Sequence, residues 1–128
     1  MLADAKNGSL YGKWLSQIDA AETRDAFHYL VGRAASLESL TCHPQLKGVV
    51  RDFRFIDASS DELPFALIPN KRWLLFYFRV PAVRSARYVF ADVKASFDSA
   101  SENTRGEWTI KLRSVDDVRR LWSLLAIE

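Results

Sequence analysis

Apolar and polar positions in this chain switch between two periods, and the switches mark its elements. From residue 9 to 19, Leu10, Trp14 and Ile18 recur four apart beside Tyr11 and Leu15, which predicts a helix capped by Ser9. From about residue 20 to 40, Phe27, Leu30, Val31, Ala34 and Leu37 form one apolar stripe, and Asp19 with Glu22 resembles a capping box. The pattern leaves open whether these are one helix or two. Cys42, His43 and Pro44 end the helical reading, because proline disfavours helix in the residue before it.

Period two begins at residues 49–56, where Val49, Phe53 and Phe55 share one face and Asp52 and Arg54 the other, with Arg51 out of phase. After a polar turn at 57–62, a strand at 63–68 and a Pro69-Asn70 turn predict a hairpin, and the early Pro64 fits a strand start or an edge. Its second arm, residues 71–80, is the densest apolar and aromatic run. Leu74, Phe76, Phe78 and Val80 point one way; Trp73, Leu75, Tyr77 and Arg79 point the other. A basic, irregular connection follows Pro81, then a short helix through Phe90, Val93 and Phe97. Residues 98–106 hold no large apolar side chain and predict a surface loop. At 107–113 alternation returns, with Trp108, Ile110 and Leu112 inward and Glu107, Thr109, Lys111 and Arg113 outward. Ser114 caps a last helix whose buried stripe is Val115, Val118, Leu121, Trp122 and Leu125, with Asp116 and Arg120 as an outer pair. The order is α(α)-β-β-β-α-β-α. It predicts an α+β fold with a mainly antiparallel four-stranded sheet, N-terminal helices, one crossover helix and a C-terminal helix.

Composition narrows this picture. The 128 residues, 48% hydrophobic and 12% aromatic, suit a single globular domain spanning residues 1–128 with one core. No apolar run approaches the roughly 20 residues that cross a bilayer, no basic-then-apolar leader opens the chain, and a single cysteine excludes an internal disulfide, so a cytoplasmic protein without a membrane partner is expected. The net charge of +2 is small but uneven: residues 1–70 carry seven Lys/Arg against nine Asp/Glu, and residues 71–128 eleven against seven.

Candidate chemistry is sparse. Cys42 and His43 are adjacent, so on an extended backbone they point apart and need a distant partner for nucleophilic work; they are also too few for zinc, which takes three or four protein ligands. His28 lies beside an apolar helical stripe, and Asp57, Asp61 and Glu62 read as a polar turn before they read as a cation site. The five glycines are scattered, which excludes a phosphate-binding glycine loop, and no Gly-x-Ser-x-Gly elbow occurs. No catalytic residue, metal or cofactor is assigned.

What remains is a constellation of rings and cations. If the strands share one sheet, Arg54, Trp73, Tyr77, Arg79, Lys111 and Arg113 converge on its outer side, flanked by Arg84, Arg87 and Arg105. Bases stack on aromatic faces while Lys and Arg neutralise phosphates, so this pattern points to a non-enzymatic nucleic-acid-binding module, DNA or RNA, acting as an accessory domain. The same face also suits a protein partner, as in an interaction or inhibitor module, since Trp, Tyr and Arg anchor such interfaces. A purely structural alternative covers Trp73, Leu75 and Tyr77 with the N-terminal helices.

The element order is also similar to the core of the PD-(D/E)xK nucleases, over most of the chain and at the level of order alone. That resemblance implies an acidic residue followed, on the next core strand, by an acid-x-Lys triplet that holds a metal and sets lysine near the attacked phosphate. The corresponding strand here, Trp73-Leu-Leu-Phe-Tyr-Phe, has no carboxylate. Asp92-Val-Lys94 has the spelling but falls in a helical pattern.

Overall fold

The computed structural model describes the backbone of residues 6–47 and 50–127 and the side chains of 11–42 and 54–127. Its elements are α1 (Lys6–Leu15), α2 (Ala21–Ala35), β1 (Leu40–Lys47), β2 (Val50–Asp57), β3 (Phe65–Pro69), β4 (Leu74–Phe78), α3 (Val80–Arg84), α4 (Phe90–Ser96), β5 (Ser101–Glu102), β6 (Trp108–Leu112) and α5 (Val115–Leu125). The fold is α+β. The sheet has six strands in the order β1-β2-β3-β4-β6-β5, and every pairing is antiparallel.

This corrects the expected count of four strands. The additional β1 holds Cys42, His43 and Pro44, which the helical period could not place; it is an edge strand, where a residue without an N–H is tolerated. The additional β5 is two residues of the expected loop, paired to β6 through Ser101↔Thr109 and Glu102↔Trp108. The basic connection after Arg79 contains the short helix α3, because Pro81 in a first turn has no N–H to leave unsatisfied. The N-terminal pattern resolves into two helices. Neither takes the expected cap: Ser9 lies inside α1, and Ala20 caps α2 without a side-chain bond. Instead the N–H groups of Asp19 and Ala20 donate to the Lys71 carbonyl, 2.8 and 3.0 Å away, tying the break between the helices to the β3–β4 turn. That turn spans Asn70 to Trp73, closed by a 2.9 Å bond from Asn70 N–H to the Trp73 carbonyl, so Pro69 ends β3 rather than sitting inside the turn. The expected facing of Val49 lies outside the described residues, and that of Arg51, Asp52 and Phe53 outside the described side chains.

All helices stand on one side of the sheet. Trp14 of α1, Phe27 of α2, Ala82 of α3, Val93 of α4 and Leu121 of α5 belong to one buried cluster, together with Phe55, Phe65, Leu67, Phe76, Phe78, Trp108 and Ile110 from the inward strand positions. Phe78 is central to it, with the rings of Phe65, Phe76, Tyr88 and Trp108 between 5.4 and 5.8 Å from its own. The opposite face carries Arg54, Ile56, Ala66, Ile68, Leu75, Tyr77, Thr109 and Lys111, none of them in that cluster. Among the described residues, every buried apolar side chain of a helix points to the first face, so the second is not roofed. No helix among them is long and apolar enough to cross a membrane.

Candidate functional site

Register builds the open face. In one row across the sheet, Arg54 pairs with Ala66, Ala66 with Tyr77, Tyr77 with Thr109, and Thr109 with Ser101. Arg54 and Tyr77 thus stand two strand spacings apart, about 9 to 10 Å, on either side of the small, buried Ala66. The next row joins Ile68, Leu75 and Lys111. At its end the Lys111 ammonium lies 4.6 Å from the centre of the Trp73 ring, a cation–π contact in which both groups keep partial exposure.

Trp73 and Lys111 are held from beneath by a residue that sequence reasoning did not single out. Thr23 of α2 is fully buried, and its hydroxyl lies 3.0 Å from the Arg72 carbonyl and 2.9 Å from the Arg113 carbonyl. Its single O–H, shared between the two carbonyls, ties the residue before Trp73 to the residue after β6, next to the two strand ends that carry the ring and its cation. A threonine inside a helical stripe gives no sign of this until the fold sets two strand ends above it.

Lys111 also opens onto a polar cleft of about 320 Å3 that includes Arg113, Arg120, Asp98, Asp117 and Ser99. Its charges are partly spent internally. Asp117 accepts the Arg113 backbone N–H at 2.8 Å and an ion pair from Arg120, whose guanidinium also donates to the Ser96 carbonyl at 2.5 Å. The expected Asp116–Arg120 pair is replaced by Asp117–Arg120 and Asp116–Arg119, both three residues apart. Arg120, read from the sequence only as the outer partner of Asp116, is a further cation of this region.

The structure thus brings together Arg54, Trp73, Tyr77 and Lys111 on the open face, with Arg113 at its rim. It does not bring the others to them. Arg79 lies on the outward side of the sheet at the other end of β4, roughly 19 to 20 Å from Trp73 by strand rise. There its Nε donates to Glu107 Oε2 at 3.0 Å. Glu107, expected to face solvent, is only 6% exposed, since Asn103 Nδ2 donates to its other oxygen at 3.1 Å and Asn103 Oδ1 accepts its backbone N–H at 3.0 Å. Arg105 is exposed in the same turn, its N–H bonded to Asn103 Oδ1 at 2.9 Å. Arg84 is exposed at the end of α3. Arg87 turns to the helical side, donating to the Ala126 carbonyl at 3.2 Å, stacking on Tyr88, and lining a separate cleft of about 180 Å3 with Asp57 and Glu62.

The alternative chemistries resolve into structure. Asp57 binds the N–H and hydroxyl of Ser59 at 2.8 and 2.6 Å, and these bonds hold its carboxyl below the ordinary value. Cys42 is fully buried, which pushes its thiol up to about 11, and the side chain of His43 is outside those described. The Tyr11 hydroxyl meets His28 Nδ1 at 2.5 Å. Asp92 and Lys94 are on α4, where the Lys94 ammonium donates to the carbonyls of Asp98, at 2.5 Å, and Ala100, at 3.2 Å; the acid-x-Lys spelling serves a helix end. Among the described residues no three or more His, Cys, Asp or Glu side chains are grouped to hold a metal ion. Comparison with protein-family models, curated proteins and solved structures finds no match to this chain.

Proposed function

We propose that this protein is a non-enzymatic binding module that takes a single-stranded nucleic acid on its open sheet face. The observation that carries the reading is the Trp73–Lys111 pair on an unroofed antiparallel sheet, with Tyr77 and Arg54 in the neighbouring row and Arg113 at the rim. Partly exposed rings offer stacking surfaces to unpaired bases, each worth about 1 to 3 kcal/mol, and the cations beside them neutralise the backbone. An open sheet face gives no helix or ribbon to enter a duplex groove, which favours single strands. On this reading Arg79 is held by Glu107, and Arg84, Arg87 and Arg105 lie away from the contact.

Titration of the protein with single-stranded and duplex oligonucleotides across a salt series tests it. Tighter binding to the single strand is expected, with Trp73→Leu weakening affinity at all salts and Lys111→Gln flattening the salt slope by about 0.7 per lost contact. Arg84→Gln should change neither. Absence of binding to either nucleic acid, at protein concentrations on the order of tens of micromolar, defeats the proposal. Ile56, Ile68 and Leu75, half-buried on the same face, favour a protein partner as the second reading, and that partner would bind with little salt dependence.

A further inference from the structure

The six-stranded sheet has two edges, and they are closed in different ways. At one, β5 pairs only two residues with β6. Along that same side of β6 the remaining amides meet side chains: Lys111 N–H donates to Ser99 Oγ at 3.0 Å, and Arg113 N–H to Asp117 Oδ2 at 2.8 Å. The other edge is β1, eight residues long, and no strand among the described residues pairs with its outer side. A long strand left unpaired on one side is a template on which a second chain can add its own.

The pairing of β1 with β2 decides which backbone groups β1 turns outward. In an antiparallel pair, residues opposite one another alternate between positions that exchange hydrogen bonds and positions that do not. Ala58 N–H donates to the Ser39 carbonyl at 3.0 Å, and these two residues stand one step beyond the Leu40↔Asp57 pair. The bonded row therefore continues through Thr41, His43, Gln45 and Lys47, and the backbone groups of Leu40, Cys42, Pro44 and Leu46 face away from β2. Asp57 gives the same parity from the other strand. It stands opposite Leu40, in the row that does not bond β1, and its N–H goes instead to the Glu62 carbonyl at 2.8 Å, on the β3 side.

Pro44 thus belongs to the outward row, where its missing N–H takes nothing from the β1–β2 ladder and leaves a gap in the edge. The partner such an edge would otherwise take is a second copy of this chain, because a two-fold axis brings two β1 strands together antiparallel and joins the sheets side by side. Every such register that matches three or more outward positions uses Pro44 of both copies. In each of them one carbonyl per copy then faces a proline ring in place of a donor. We infer that Pro44 is a guard residue that bars dimerisation of this chain through its β1 edge.

The experiment restores the N–H in the full chain, as Pro44→Val and, with a polar side chain, as Pro44→Thr. Sedimentation across a concentration series and amide hydrogen exchange are the readouts. The parent should be a monomer at concentrations on the order of 100 µM, and both variants should associate about tenfold or more strongly, as expected from regaining one hydrogen bond per copy. Protection of the Cys42, residue 44 and Leu46 amides should rise with concentration in the variants and not in the parent, while the His43 and Gln45 amides, bonded to β2, stay protected at every concentration. Variants that remain monomeric, that associate without new protection at those outward amides, or that lose the fold although the residue 44 N–H takes no part in the β1–β2 ladder, would overturn the assignment. So would a parent that already dimerises through β1.

Discussion

Phe78 has no exposed surface and touches four other rings, so removing its side chain opens a cavity that the surrounding rings, each held in its own contact, cannot collapse to fill. Phe78→Ala should cost about 3 to 5 kcal/mol, read by urea denaturation, a large part of what a domain of this size has. A loss below about 1 kcal/mol would contradict the packing. Cys42 makes a pH prediction. Burial holds its thiol protonated up to about 11, against an ordinary value of 9.0. The folded state therefore keeps a proton that the unfolded chain has lost, so this group's effect is neutral below about pH 9 and lowers stability as pH rises from there toward 11. At neutral pH the native thiol should react with a disulfide reagent far more slowly than the thiol in denaturant. Equal rates would show that Cys42 is accessible. Ala126 adopts a left-handed conformation, φ 51°, at the end of α5, where glycine carries no Cβ penalty. Ala126→Gly should leave stability unchanged or raise it by up to about 1 kcal/mol, measured by the same denaturation, and a clear loss would contradict that backbone geometry.

At the scale of elements, what the sequence showed best was what repeats within one segment. The stripe and cap of α5 were legible because Ser114 and the Val118-Leu121-Trp122-Leu125 spacing are local, and Ser114 Oγ does accept the Asp117 N–H at 3.3 Å. Ser114→Ala should cost about 1 kcal/mol in denaturation, and no change would mean that the cap contributes nothing. The alternation of β4 and β6 was legible for the same reason. β1 was not, because proline in an edge strand reads as a breaker until its single neighbour is known. Nor was β5, whose two residues are exposed and are strand only by pairing with β6. The candidate site divides in the same way. Trp73, Tyr77 and Lys111 were found by strand parity. The engagement of Arg79 by Glu107, the turn of Arg87 toward the helices and the role of Thr23 depend on contacts between residues 28, 39, 49 and 90 positions apart, which no local pattern carries.

The whole molecule is two layers, helices on one face of a six-stranded sheet and nothing described on the other. Its candidate contact surface lies on the uncovered side, where rings and cations meet on the open sheet. This separation makes the proposed function directly mappable. The most direct test is an NMR titration with a short single-stranded oligonucleotide, following backbone amides and the four tryptophan indoles. The account predicts that the largest shifts fall on Trp73, Tyr77 and Lys111, while the fully buried Trp14 stays still. Shifts confined to the helical layer, or none at all, would contradict the assignment of the open face to nucleic acid.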